Sequence, residues 1–156
     1  MEYLEFTNFK RAFLAVLTET MEGPQEYVAY LNRGSGFFPS LDNLDHLSAS
    51  KQLTGQTTIA AHIKHSCIHL TAIISLIRGK PERVDWPSTW LGATVTQQEW
   101  QTSLENMKSA YQELVSVFDE GINWGHKEVA AAMAALAHLA YHLGAIRQIL
   151  VRMKQV

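Results

Sequence analysis

Five of the seven histidines of this chain fall into two short stretches. His138 and His142 stand four residues apart in AHLAYHLGAIR, and His62, His65 and His69 lie within AAHIKHSCIHL. Residues four apart on a helix project from the same face, so His138 and His142 can direct two imidazole nitrogens at one point, as a pair of metal ligands requires. Because two ligands alone hold a metal weakly, a third must come from another helix. The spacing therefore predicts a metal site between two helices.

Helical phase does not select one histidine of the earlier stretch. At about 100° per residue, His62 and His69 lie nearest the centre of the predicted buried face, and His65 lies about 60° from His62. All three could point inward, although phase alone favours His62 or His69. A single buried histidine is usually a neutral core residue bonded to a backbone carbonyl. Several uncompensated imidazoles would be costly to bury, so their clustering favours a metal.

The residues around the predicted site limit its chemistry. HLAYH has Leu139 where the zinc peptidase motif H-E-x-x-H has its catalytic glutamate, which disfavours a peptidase. The sequence between Thr54 and Pro81 contains no carboxylate, so no general base is expected beside the metal. A metal in such a neutral, largely apolar pocket would polarise water or bind and deprotonate a thiol.

Four segments with helical periodicity position these residues. The first runs from Phe6 to Gly23-Pro24, the second from Thr57-Thr58 to about Arg78, the third from the capping-box sequence Thr96-Gln97-Gln98-Glu99 to Phe118, and the fourth from about His126 to the end. The fourth has a predicted buried stripe of Ala131, Ala134, Ala135, His138, His142, Ala145, Ile146, Ile149 and Met153. These segments predict an all-α fold, a four-helix bundle with long irregular connections between helices 1 and 2 and between helices 2 and 3.

The two long connections differ in composition. Residues 25–55 are rich in Gly, Ser, Asn and Pro, and we expect one or two short helical turns there. The connection before the third helix contains VDWPSTW, which is too apolar for a flexible linker, so we expect it to pack across the bundle. We expect the four tryptophans, Trp86, Trp90, Trp100 and Trp124, to anchor loops or fill the core, although Trp86 or Trp90 could cover a pocket at the end of the bundle.

Composition excludes several classes of protein. A chain of 156 residues with 47% apolar residues predicts one domain over residues 1–156, and a net charge of −2 gives no reason to expect nucleic-acid binding. The single cysteine, Cys67, excludes an intrachain disulfide, and the first residues lack a signal-peptide pattern. Lys64, Arg78 and Arg147 interrupt the apolar runs, so none is expected to approach the roughly 18 residues of a membrane span. We expect a cytoplasmic protein without a membrane partner.

The helices and their histidines resemble the DinB/YfiT-like superfamily, a group of bundle proteins first known as damage-inducible. The resemblance is carried by TTIAAHIKH in the second helix and HLAYHLGAIRQ in the fourth, together with VDWPSTW between the second and third helices, and it extends over nearly the whole chain. It implies an up-down-down-up bundle that dimerises and holds a divalent metal, often nickel or zinc. The ligands that it implies are His138, His142 and, seven residues after Thr58, His65, with His62 as the rival.

The activity that this resemblance implies is less specific. Members of the superfamily include thiol S-transferases and a mycothiol-dependent maleylpyruvate isomerase, so the expected partners are a low-molecular-weight thiol and a small electrophilic substrate. A fold and a site do not determine a reaction, and two alternatives stay open: a dimeric stress-related binding protein without catalysis, and a metal-dependent hydrolase. The small-residue face of the fourth helix, with Met133, Ala137, Ala140 and Gly144, permits close helix approach within the bundle or across a dimer axis.

Overall fold

The structure, a computed structural model, describes residues 5–26 and 29–155. Within these ranges the chain forms six α-helices and no β-strand, which confirms the all-α prediction. The helices are α1 (Phe6–Glu22), α2 (Phe37–Leu41), α3 (His46–Ala49), α4 (Ile59–Ile77), α5 (Gln97–Ser116) and α6 (His126–Met153). Two 3₁₀ turns, Pro87–Trp90 and Val117–Asp119, lie before and after α5. The four long helices are α1, α4, α5 and α6, and they correspond to the four predicted segments.

The ends of the long helices follow the capping signals in the sequence. The hydroxyl of Thr58 accepts the N–H of Ala61 at 3.1 Å at the start of α4, and Thr96 and Glu99 form a reciprocal capping box at the start of α5. Helix α1 ends at Gly23, whose φ is 89°. A Cβ at this glycine would lie 2.5 Å from the carbonyl oxygen of Ser35, so both the backbone angle and the available space favour glycine.

Helix α4 lies at the centre of the packing. It contacts both α5 and α6 along its length, while α1 packs against α6 and α2. Fully buried side chains from all four long helices fill the core, among them Leu17, Ile63, Leu70, Ile74, Met107, Leu114, Leu139 and Ile146. Each contributes about 1.5–3 kcal/mol by leaving water. This packing brings the histidine-bearing faces of α4 and α6 together.

The buried stripe of α6 differs from the prediction at Ala134, which is exposed. The fully buried residues Ala135, Leu139 and Ile146 mark the centre of the real stripe. Ala134 lies about 100° from Ala135 around the helix and therefore faces solvent. Because the buried stripe is centred on Ala135, Leu139 and Ile146, His138 lies near its edge and is half-buried.

Both long connections pack against the helices. Residues 25–55 include the two short helices α2 and α3, in agreement with the expected helical turns, although residues 27 and 28 lie outside the described part of the chain. The tryptophan-bearing connection lies along α4: the hydroxyl of Thr58 donates to the carbonyl of Ala93 at 2.6 Å, and the ammonium of Lys64 donates to the carbonyl of Leu91 at 2.8 Å. The prediction was that this connection packs across the bundle; the structure shows it along α4, with the ring of Trp90 5.7 Å from that of His142 on α6.

Two of the helices correct the expectation about membrane spans. By length and composition α4 and α6 are both apolar enough to cross a membrane, because Lys64 is the one charged residue within α4 and residues 129–146 of α6 contain none. In the structure 50% of the most apolar 18-residue segment of α4 is buried, and 39% of the corresponding segment of α6. Core helices of water-soluble proteins have the same length and composition, so this property is weak evidence for a membrane.

Candidate metal centre

His65 of α4 and His138 and His142 of α6 form one cluster. The Nε2 atom of His138 lies 3.1 Å from the Nε2 atom of His65 and 3.1 Å from that of His142. A tetrahedral zinc with Zn–N bonds of about 2.0–2.1 Å separates its nitrogen ligands by about 3.3 Å. Within the described residues this is the only group of three or more His, Cys, Asp or Glu side chains close enough to hold a metal ion. The spacing of the cluster therefore suits one ion.

His62 and His69 lie beside this cluster rather than in it. Nδ1 of His62 is 2.8 Å from Nδ1 of His142, on the side of that ring away from the three Nε2 atoms. The ring of His69 stacks on that of His138, with centroids 3.6 Å apart and planes 9° apart. Phase alone favoured His62 or His69, but phase describes direction around a helix and not where the partner helix crosses it. Because His138 lies at the edge of the α6 stripe, His65 at the edge of the α4 face meets it.

The proton position on His65 follows from its hydrogen bonds. Its Nδ1 lies 2.6 Å from the hydroxyl oxygen of Thr89, and that hydroxyl donates its only hydrogen to the carbonyl of Trp86 at 2.6 Å. Thr89 can therefore only accept from His65, so Nδ1 carries the proton. In the neutral ring Nε2 is then unprotonated, and its lone pair faces the cluster.

The proton position on His142 depends in the same way on a hydrogen bond, here with His62. With their Nδ1 atoms 2.8 Å apart, one ring donates and the other accepts. When His142 donates, its Nε2 lone pair also faces the cluster. The Nδ1 atom of His138 is buried without a partner among the described residues, so no hydrogen bond determines its tautomer. When Nδ1 carries the proton in both His65 and His142, His138 is the one ring of the three that can carry a proton on Nε2. If His138 also carries its proton on Nδ1, three Nε2 lone pairs converge, and a cation would satisfy all three.

All five imidazoles are held in the neutral form. Burial is the main cause: it lowers the pKa of His62 and His65, that of His69 to about 4, and those of His138 and His142 to about 3. Neighbouring histidines add to the effect on every ring except His65, since each positive charge disfavours the next. No carboxylate contributes to these shifts. Neutral imidazole is the form that binds metals.

The 3₁₀ turn Pro87–Trp90 covers the cluster. The indole of Trp90 stacks on His65, with centroids 4.0 Å apart and planes 18° apart, and meets His62 edge-on at 5.4 Å. Trp86 is 42% exposed and lies 5.7 Å from His69. Two surface clefts of 760 and 820 Å³ lie elsewhere on the molecule and are not lined by a histidine. The cluster is therefore separate from both of these clefts.

Two tyrosines and the single cysteine lie away from the three Nε2 atoms. Tyr111 donates to Glu22 at 2.8 Å on the far side of the core, and Tyr141 is 71% exposed with its ring edge-on to His142. Cys67 is half-buried, and burial raises the pKa of its thiol, in agreement with an inert thiol. Thr89 is the residue at the cluster that sequence reasoning missed, because a threonine in a loop between two tryptophans carries no ligand signal of its own.

No protein-family model matches the chain, and no curated protein or solved structure matches it significantly. The superfamily resemblance therefore depends on the sequence motifs alone, and it stays a prediction.

Proposed function

We propose that this chain is a divalent-metal-binding protein in which the Nε2 atoms of His65, His138 and His142 are the ligands. The observation that carries the proposal is that Nε2 of His138 lies 3.1 Å from Nε2 of both His65 and His142, and that the three rings offer ligand atoms within 4.8 Å of one another. The hydrogen bond from His65 to Thr89 leaves Nε2 of His65 free to bind an ion. The bond between His62 and His142 does the same for Nε2 of His142 when His142 donates. A set of three imidazoles suits zinc, nickel, copper or iron, and the superfamily resemblance favours nickel or zinc.

Three protein ligands are typical of a zinc site that keeps one position open, and this supports an enzyme of the thiol S-transferase type. A divalent ion at such a site lowers the pKa of a water or thiol that reaches it. The protein contributes a water-poor, carboxylate-free environment, because the turn Pro87–Trp90 covers the cluster and only histidines perturb one another there. A hydrolase would need a positioned acid or base. No carboxylate contributes to the pKa shifts of the five histidines, so none of the described carboxylates is placed for that role. The proposed reactants are a low-molecular-weight thiol and a small electrophile.

The contacts between helices support an up-down-down-up four-helix bundle as the scaffold. Arg78, just after α4, donates to Glu113 near the end of α5, as expected for parallel helices. His62 lies beside His142 and His65 beside His138, so the order along α4 is opposite to that along α6. The two ligand-bearing helices are then antiparallel, and the connection between α4 and α5 must return along the bundle.

Metal analysis of the purified protein tests the proposal first. Protein made without a histidine tag is expected to contain, or to take up after chelation, one equivalent of zinc or nickel by elemental analysis. The variant His142→Ala should lose this metal, because a pair of nitrogens does not hold the ion. The matched control His126→Ala removes an exposed histidine at the start of the same helix and should keep it.

Thermal unfolding gives a second readout. Zinc added at about 100 times its dissociation constant should stabilise the wild type by about 2.7 kcal/mol and leave His142→Ala unchanged. A wild-type protein that holds no metal after reconstitution would overturn the proposal. Turnover with thiols and electrophiles is then measured with the metal-loaded protein, and turnover of esters without added thiol would favour the hydrolase instead.

A further inference from the structure

The turn Pro87–Trp90 contributes a buried hydroxyl to the histidine cluster. Thr89 is only 2% exposed, and it joins Nδ1 of His65 to the carbonyl of Trp86 through two hydrogen bonds of 2.6 Å. The carbonyl can only accept, so the direction of both bonds is determined. The indole of Trp90, which stacks on the imidazole of His65, limits how far that ring can tilt. His65 is thus held in one tautomer and one orientation by a loop, not by a helix.

His62 lies at the corresponding position beside His142, and it determines the tautomer of that ring when it accepts the hydrogen bond. It is 8% exposed, its Nδ1 lies 2.8 Å from Nδ1 of His142, and Trp90 packs edge-on against it. A ring that accepts at this position keeps the proton of His142 on Nδ1. The free nitrogen of His142 is then Nε2, the atom that points at His65 and His138.

We infer that Thr89 and His62 are positioning residues of the metal centre, which hold the Nε2 lone pairs of His65 and His142 toward the ion. The inference rests on the proposed metal site. Partners of this kind, one step outside the ligands, typically contribute about 10- to 100-fold to metal affinity. The centre then comprises two helices and the turn Pro87–Trp90, and a protein with all three ligands but without the Thr89 hydroxyl binds metal weakly.

Zinc affinity measured by competition with a chromophoric chelator tests this inference. Thr89→Val keeps the shape of the side chain but cannot accept from His65, and it should weaken zinc binding by about 10- to 100-fold. Thr89→Ser restores the hydroxyl and should bind close to the wild type. Ser88→Ala removes an exposed hydroxyl one residue away, which donates to the carbonyl of Asp85, and should have no effect.

Cobalt spectra separate positioning from ligand loss. Thr89→Val loaded with excess Co²⁺ should keep the visible band intensity of the wild type, because the three ligands are unchanged, whereas His142→Ala should not. Metal-free unfolding of each variant is measured alongside. If Thr89→Val does not fold, His62→Phe replaces it: it removes the nitrogen facing His142 and should also lose about 10- to 100-fold in affinity.

Two results have different meanings. A wild type that binds no zinc overturns the proposed function itself. A wild type that binds zinc, together with a folded Thr89→Val or His62→Phe variant of equal affinity, overturns only the positioning role.

Discussion

At the scale of single residues, Glu19 is a buried carboxylate that holds a loop in place. It is 2% exposed, and it accepts the backbone N–H groups of Ala29 at 2.6 Å, Tyr30 at 2.8 Å and Leu31 at 2.5 Å. Burial acts to raise the pKa of this carboxyl, but the three donors outweigh it and the pKa lies below its ordinary 4.5. The charged form is therefore the one that the fold prefers.

Glu19→Gln should destabilise the protein by about 1–3 kcal/mol at neutral pH, because an amide oxygen cannot replace both carboxylate oxygens for three buried donors. The unfolded chain binds a proton on Glu19 at higher pH than the folded chain does. The contribution is thus complete above the ordinary pKa of 4.5 and is lost as the pH falls through the lower folded pKa. Urea unfolding at pH 7 and at about pH 3 checks this: the gap between wild type and variant should shrink in acid. The exposed control Glu26→Gln should show no gap at either pH.

The three histidines of the cluster illustrate what residue-level pattern reasoning can reach. His138 and His142 follow from their spacing alone, because residues four apart on a helix must share a face. His65 did not follow from phase, since its angle differs from that of the central positions of α4, and only the superfamily resemblance selected it. Thr89 was out of reach, because its role depends on a hydrogen bond between residues of two different elements.

At the scale of elements, the start of α4 determines where His62 and His65 stand. Thr58 is 1% exposed, accepts the N–H of Ala61 and donates to the carbonyl of Ala93, so one hydroxyl caps the helix and ties it to the connection. Such capping was visible in the sequence. The second bond was not, because it joins residues 35 positions apart.

Thr58→Ala should destabilise the protein by about 1–2 kcal/mol through loss of the cap. Thr58→Ser keeps the hydroxyl and should recover most of that loss. Chemical unfolding of the metal-free protein measures both variants, with Thr57→Ala as the neighbouring control. Equal stability of the alanine and serine variants would mean that the methyl group, and not the hydroxyl, matters at this position.

The elements also explain which part of the fold was accessible in advance. The long helices carry strong apolar periodicity and clear caps, so their existence and approximate ends could be read from the chain. The exposure of Ala134 could not be predicted in this way. It depends on which helices α6 packs against, and the sequence alone does not give these neighbours.

At the scale of the whole molecule, α6 presents an unusual outer face. No charged residue occurs between Glu128 and Arg147, and the exposed positions in this interval are Ala130, Met133, Ala134, Ala137, Tyr141 and Gly144. Met133 is 49% exposed and Tyr141 is 71% exposed. Exposed apolar faces of this kind are commonly protein interfaces, and the homodimer that the superfamily resemblance implies would use this one.

Light scattering after gel filtration tests the dimer that the resemblance implies. The wild type is expected at twice the chain mass, and Ala134→Glu should shift it to the monomer, because the new charge would be buried in the interface without a partner. Thr102→Glu places the same charge on the exposed side of α5 and should leave the dimer intact. A wild-type monomer would contradict the dimer, and a dimeric Ala134→Glu variant would put the interface on another face.

The hydrogen-bond chain that begins at His65 ends on the peptide carbonyl of residue 86, and the indole of that residue takes no part in it. Any amino acid at this position supplies the same final acceptor. Replacing this half-exposed side chain would therefore change the surface beside His69 and leave the hydrogen bonds that orient the His65 ring in place.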